Sequence, residues 1–457
     1  MRPLSFPPTP LFSPVPTLSF EDAGLIIDSD PIWPEGYLSH EKDKIVSNAR
    51  LCKASVAFGL DRYIIANPLN LQKWRPTYAQ DLIASPPEPQ AKREMSTKTL
   101  ADVVEALIGA TFVNNLDGDG NADLSRVVEC IRLFLPKEPW KHPDQERLDL
   151  YNNAPDGMVL PEPMRPLEEL IGYQFKKKSL LVEAMTHASY NRPDTHASFE
   201  RLEFLGDAIL EYLVVRKLFF AKDAGGRPIP HSKMHLLKTA LVNSDFLGLL
   251  ILEWSVKQPR VDVVLGSTHG PRHAAAAAPV EYHRSEEEFA IWRFMRHLSP
   301  EMGILLQQTA ARHQSMRDAL RHAIKAEDRY PWAALARLQA QKVFSDLFES
   351  VLGAVWVDSG SLEECEALLE RVGILWYMQR MLADGVHVLH PKEELGHAAE
   401  SERVTYEDEV KTLDDGSREH FCRVLVGTRC VAEVSGGVSR EEARTRAAQE
   451  ALVALGR

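Results

Sequence analysis

The sequence predicts a mainly α-helical protein: two copies of one helical domain in tandem, the first incomplete, then a small α-β-β-β-α module. Three observations carry this prediction. Residues 36–136 and 165–385 place apolar side chains at helical spacing. The stretch Lys98-Thr99-Leu100-Ala101-Asp102-Val103-Val104-Glu105-Ala106-Leu107-Ile108-Gly109-Ala110 recurs as Lys342-Val343-Phe344-Ser345-Asp346-Leu347-Phe348-Glu349-Ser350-Val351-Leu352-Gly353-Ala354, at a constant spacing of 244 residues. The tail, 391–457, changes to short strand-like runs bounded by turn residues.

Residues 1–35 are Pro-rich and poorly patterned, so they are expected to be irregular. Their prolines interrupt every apolar run, which argues against a signal peptide or membrane anchor. Region 36–136 reads as helical with one Pro-rich break at Ser85-Pro86-Pro87-Glu88-Pro89, and its Val46-Ser47-Asn48 loosely echoes Val242-Asn243-Ser244. A polar connector is expected over 137–164. Within 165–385, the segment at about 256–330 reads as an insertion, part loop and part helix. It holds Ala274 to Ala278 and the acidic run Ser285-Glu286-Glu287-Glu288, and the alanine tract reads as a variable spacer. In the tail, Pro391 to about Glu400 is expected to be a helix. Strands are expected at Val404 to Lys411, Phe421 to Val426 and Arg429 to Val434, with turns at Asp414-Asp415-Gly416 and Gly427-Thr428. Ser439 is placed to N-cap a last helix, with Glu442 completing a capping box.

Bulk properties narrow the function. The 457 residues are 44% hydrophobic and 26% charged, as in an ordinary globular chain. Five cysteines without a CxxC pair suit a reducing compartment and argue against a structural zinc site or disulfide framework. No run of 18 uncharged apolar residues occurs, so no transmembrane helix and no membrane partner are expected. A formal net charge of −12 weighs against a generic nucleic-acid binder. Bound cations on clustered carboxylates can override that sign locally.

The chemistry concentrates in Glu200-Arg201-Leu202-Glu203-Phe204-Leu205-Gly206-Asp207-Ala208. On a helix, Glu200, Glu203 and Asp207 fall at i, i+3 and i+7, one acidic stripe, while Leu202, Leu205 and Ile209 point to a core. Such a stripe is either a solvated acidic face or half of a cation site. Gly206, costing about 1 kcal/mol in mid-helix, implies that another backbone or a ligand comes close. Asp346 and Glu349, at i and i+3, lie on a helix whose apolar flanks predict burial, where carboxylates must be paired, protonated or metal-bound. Facing Glu203 and Asp207, they would offer four oxygen ligands to a hard cation such as Mg²⁺, the setting for phosphodiester hydrolysis. Pairing with neighbouring Arg or Lys is the alternative. Glu21, Asp22, Asp28 and Asp30 lack helical spacing and are not expected as ligands. His231 and His235 are expected to be a surface pair, and His187 a hydrogen-bonded packing residue. Arg440, Arg444 and Arg446 could meet phosphates near a helix N-terminus, weakly, because Glu441 and Glu442 interleave them.

Glu200 through Ala208 resembles the signature of the ribonuclease III family, Asp346-x-x-Glu349 its second acidic pair, and Thr186-His187-Ala188-Ser189-Tyr190 its upstream helix. Two such domains before a double-stranded-RNA-binding-like module are similar to the C-terminal third of the family's Dicer type. The insertion and Gln72-Lys73-Trp74-Arg75-Pro76 resemble fungal members, with the chain N-terminally truncated. The resemblance implies two RNase III-type helical domains and an endoribonuclease that cuts double-stranded RNA to 5′-phosphomonoesters. It also implies Mg²⁺ (or Mn²⁺) on Glu203, Asp207, Asp346 and Glu349, with Glu200 accessory, and small-RNA production in RNA silencing and antiviral defence. An intracellular, cytoplasmic setting goes with it. The first copy keeps Asp102 and Glu105 but lacks the signature helix, so these acids are expected to be vestigial. One working centre per chain and a homodimer through the second domain are the corresponding expectations. The competing class is a non-catalytic double-stranded-RNA-binding or scaffold protein on a degraded nuclease fold.

Overall fold

The computed structural model describes residues 34–64, 95–117, 123–192, 197–223, 225–265, 280–400, 402–413, 416 and 418–456. The expectations for 1–33, the proline break at 85–89, the alanine tract and Asp414-Asp415 lie outside the described residues.

The first copy comprises α1 (Glu35–Ile45), α2 (Asn48–Ala57), a 3₁₀ turn (Leu60–Tyr63), α3 (Thr97–Asn114) and α4 (Leu124–Phe134). Ser96 caps α3 by accepting from the Thr99 N–H, and Asp123 caps α4 through Ser125 N. The second domain adds α6 (Pro166–Ile171), α7 (Lys178–Ala184), α8 (Glu200–Phe220), α9 (His231–Val242) and α10 (Ser244–Glu253), preceded by a connector helix, α5 (Pro143–Asn153). After a hairpin come α11 (Pro300–Ala326), α12 (Trp332–Leu338), α13 (Lys342–Ser359), α14 (Leu362–Val372) and α15 (Ile374–Ala383). The internal repeat is visible in the helices. α3 and α13 are both 18 residues long, and the Val-Ser and Val-Asn echoes mark the breaks between α1 and α2 and between α9 and α10.

Two stretches differ from the sequence expectation. The connector is not a free linker: Trp140, Leu150, Ala154, Leu160 and Met164 are buried in the main core, and Arg147 donates to the Val357 carbonyl of α13 at 3.0 Å. Apolar residues spaced among prolines and charges hid it. The insertion opens with an antiparallel hairpin, β1 (Ser255–Leu265) with β2 (Val280–Ala290), so the acidic run lies in a strand.

α8 and α13 cross at closest approach in the centre of the fold. A Cβ on Gly206 would strike the Glu349 carbonyl, with the carbonyl carbon at 2.6 Å; a Cβ on Gly353 would strike the Leu202 carbonyl. Gly206 therefore serves backbone proximity, which lets each helix bring its carboxylates to the other.

The first copy shares this core. Leu38, Ile108 and Phe112 join Leu205 and Tyr212 in one continuous cluster, Phe112 meets Tyr212 edge-on at 6.3 Å, and Lys42 lies over the Phe204 ring at 5.4 Å. That face of α8 is covered by the same chain, and the homodimer expectation is not shown.

The tail forms α16 (Pro391–Ala398), β3 (Val404–Thr412), β4 (Arg418–Val426), β5 (Arg429–Gly437) and α17 (Arg440–Ala454), with sheet order β3-β4-β5 and its own core. Ser439 caps α17 through Glu442 N, while the Glu442 carboxylate accepts from Val438 N rather than closing the box at Ser439. The module is docked on the second domain. Arg337 on α12 donates to the fully buried Glu442 at 3.1 Å and to the Gly436 carbonyl, Gln339 donates to the Val438 carbonyl at 2.8 Å, and Arg329 holds Glu394 bidentately at 2.8 and 2.9 Å. Arg337→Ala strips one cation from a buried carboxylate. Because the Val438 N–H and Arg446 remain on it, the expected loss is about 1.5–3 kcal/mol, read as a lower urea midpoint for the module.

Candidate metal centre

The centre forms where α8 crosses α13. α8 begins at Glu200, and carboxylates in its first turn suit the positive end of the helix dipole. One turn inward, Glu203 points across the glycine contact. Glu203, Asp346 and Glu349 each offer a carboxylate oxygen within 4.8 Å of the others, and all three are at least nine-tenths buried. An all-oxygen donor set of this size fits a hard divalent cation.

Lys342, one turn before Asp346, stands against this cluster. Its Nζ donates to Glu203 Oε1 at 2.7 Å and to Asp346 Oδ1 at 2.8 Å, while two-thirds of its side chain is exposed. The ammonium is thus a cation at the open edge of the carboxylate group. Burial lowers its pKa, but the two acids outweigh that effect and raise it.

Titration directions report how crowded the site is. Burial raises the Glu203 carboxyl, Asp346 raises it further, and Lys342 opposes both. Asp346 is raised by burial against the pull of Lys342. Glu349 is driven well above the ordinary carboxylate range, first by burial and then by Asp207, Asp346 and Glu203. Asp207 is half-buried on the next turn of α8, and its pKa is pushed up to about 6 by burial and Glu211 against Lys42 and Lys238. Three carboxylates therefore touch one space, and the fourth repels Glu349 from beside it.

Glu200 accepts from Ser198 Oγ at 3.0 Å and stays outside the cluster. The first copy contributes in a way its local sequence does not announce. Glu35 at the start of α1 repels Glu203, Asp207 and Asp346, and Lys42 steadies Asp207. Sequence reasoning missed Glu35, Lys42 and Lys342. The repeat held a signal for the last, since Lys98 and Lys342 stand four residues before Asp102 and Asp346. In the first copy Asp102 pairs with Lys98 at 3.0 Å, half-exposed on α3, and no helix like α8 faces it among the described residues.

Elsewhere, His231 and His235 are exposed on α9, and His187 bonds Ser189 and packs edge-on against Phe199. The tail arginines are engaged within the module. Arg444 bonds Asp408 at 3.0 Å, Arg440 lies 3.6 Å from the same carboxylate, and Arg446 reaches Glu442 and the Ser435 carbonyl.

The Ribonuclease III domain family matches residues 24–116 and 200–360, more than half of the chain. The chain belongs to the ribonuclease III family. Its two matched blocks are the first copy and the second copy from α8 to the end of α13. Residues 384–456 of this ribonuclease III chain match the family described as Dicer-like protein 2, dsRNA binding domain. Similar curated proteins include Dicer-like protein 2 of Pyricularia oryzae, 46% identical over 92% of this chain and 28% of that protein. Dicer-like protein 2 of Cryphonectria parasitica is 45% identical over 93% and 29%, and that of Neurospora crassa 37% over 93% and 30%. The chain spans less than a third of the length of these relatives.

Proposed function

We propose that the chain carries one cleavage centre for double-stranded RNA, in the second domain, dependent on Mg²⁺ or Mn²⁺. The observation that carries this reading is the convergence of Glu203, Asp346 and Glu349 within 4.8 Å at the glycine crossing. Those three residues would hold the cation, with Asp207 at the side. When bound, it would supply an acidified water and stabilise charge on the phosphate oxygens. Lys342, released from the carboxylates, would present its ammonium to the scissile phosphate.

The covered face of α8 supports pairing of the two copies within one chain in place of a homodimer. With one complete set of acids, each chain would nick one strand. The likeness to Dicer-like proteins extends the reading to small-RNA production in silencing and antiviral defence, in the cytoplasm.

The test is incubation with long double-stranded RNA, with and without Mg²⁺. Metal-dependent nicks that vanish in Glu203→Ala and Asp346→Ala are expected. Intact RNA under all conditions, with binding retained, would establish the scaffold reading, which Lys342 favours by already neutralising part of the cluster.

A further inference from the structure

After the hairpin the insertion pairs with the loop that follows α7 at a fixed place. Arg296 N donates to the Met185 carbonyl at 2.7 Å, the Arg296 carbonyl accepts from His187 N at 3.0 Å, and Leu298 N reaches Ser189 Oγ at 3.3 Å. The same loop ends on the helix, because Phe199 N donates to the Thr186 carbonyl and Glu203 N to the Phe199 carbonyl. Arg296, Thr186, Phe199 and Glu203 are therefore linked in series. Glu203 lies four residues beyond Phe199, about 6 Å along α8.

On this scaffold two guanidinium groups gather on one ring. Arg296 Cζ lies 4.2 Å from the Tyr190 centroid and Arg192 Cζ 5.3 Å. Arg296 also donates to Thr186 Oγ1 at 3.2 Å, which fixes its orientation, and Arg192 is exposed. Among the described residues neither arginine makes an ion pair. That contrasts with Arg440, Arg444 and Arg446, all turned to carboxylates of their own module. Stacking on tyrosine leaves the N–H edges of a guanidinium outward, in the planar arrangement that grips a phosphate.

We infer that Arg192 and Arg296, stacked on Tyr190, form a phosphate-binding clamp that seats the double-stranded RNA backbone beside the cleavage centre. Arg296, midway along the insertion between the hairpin and α11, makes that segment part of substrate binding. The ligand class rests on the nuclease reading above; the site itself rests on the cation–ring geometry.

Binding is measured in the Glu203→Gln background without divalent metal, over a salt series, with a blunt duplex RNA of mixed sequence. Arg192→Glu and Arg296→Glu are each expected to weaken binding about tenfold and to lower the salt slope by about one. Arg296→Lys is expected to recover most of the slope, which separates a lost charge from a disturbed loop. If the parent binds and both glutamate variants keep its affinity and slope, the clamp is wrong while the nuclease reading stands. A slope that falls only with Arg440→Glu would also overturn it, by moving the contact to the tail. If the parent binds but the chain with Glu203 intact never cleaves with metal, the nuclease reading fails and the slopes still decide the clamp. A parent that does not bind duplex RNA refutes both.

Discussion

Replacing Gly206 with alanine is expected to abolish cleavage and to destabilise the chain by more than about 3 kcal/mol, beyond the usual range for overpacking. The added methyl would sit inside the Glu349 carbonyl, and relief requires moving α8 away from α13. That displacement carries Glu203 and Asp207 away from Asp346 and Glu349, so stability and metal binding fall together. Chemical denaturation reads the first and Mn²⁺ affinity the second. Gly303 in α11 is the matched control, because a Cβ there meets only His297 Cε1 at 3.4 Å. Gly303→Ala should stabilise slightly through helix propensity alone. A Gly206→Ala chain that melts with the parent and binds Mn²⁺ equally would remove the crossing from the account of the site.

Glu349→Gln should show opposite effects on stability and activity. In the folded chain the Glu349 carboxyl is held well above its ordinary range, so the native state binds that proton more tightly than the unfolded state does. Its contribution is fully present below the unfolded carboxylate value, about 4.3, and is lost as pH rises through the raised folded value. Glutamine keeps the shape and removes the charge. Without metal, the variant should therefore melt a few degrees above the parent at pH 8, and the two should converge near pH 4. Each tenfold gain in proton affinity on folding corresponds to about 1.4 kcal/mol. Adding Mg²⁺ should raise the parent and barely move the variant, whose cleavage should fall at least about 100-fold, the upper loss seen even for outer-shell partners. Parallel melting curves across pH in the metal-free proteins would show that the cluster is not under electrostatic strain.

Much of the site was legible because its parts are short and periodic. The stripe of Glu203 and Asp207, the Asp346/Glu349 pair and the awkward Gly206 all declare themselves within a few helical turns. The repeat at constant spacing matches α3 with α13, and alternation with turn residues marked the tail strands. What was hidden depends on distant contacts. Nothing local to Glu35 says that α1 will lie across the α8 of another copy. The connector helix has burial without amphipathic regularity. The acidic run in β2 did not read as a strand because carboxylates are poor strand formers. The tail arginines could be counted from sequence, but that Asp408 and Glu442 would hold them could not.

Lys342 also bears on the order of assembly. In many small metal proteins the ion must arrive before the ligands can be brought together, and chelation unfolds them. Here an ammonium already stands among the acids, carried on a long and mostly exposed side chain. On the metal-centre reading proposed above, the chain would fold without its ion, and loading would be an exchange of one charge for another. A chelator should act as an off-switch for the chemistry while leaving the architecture standing.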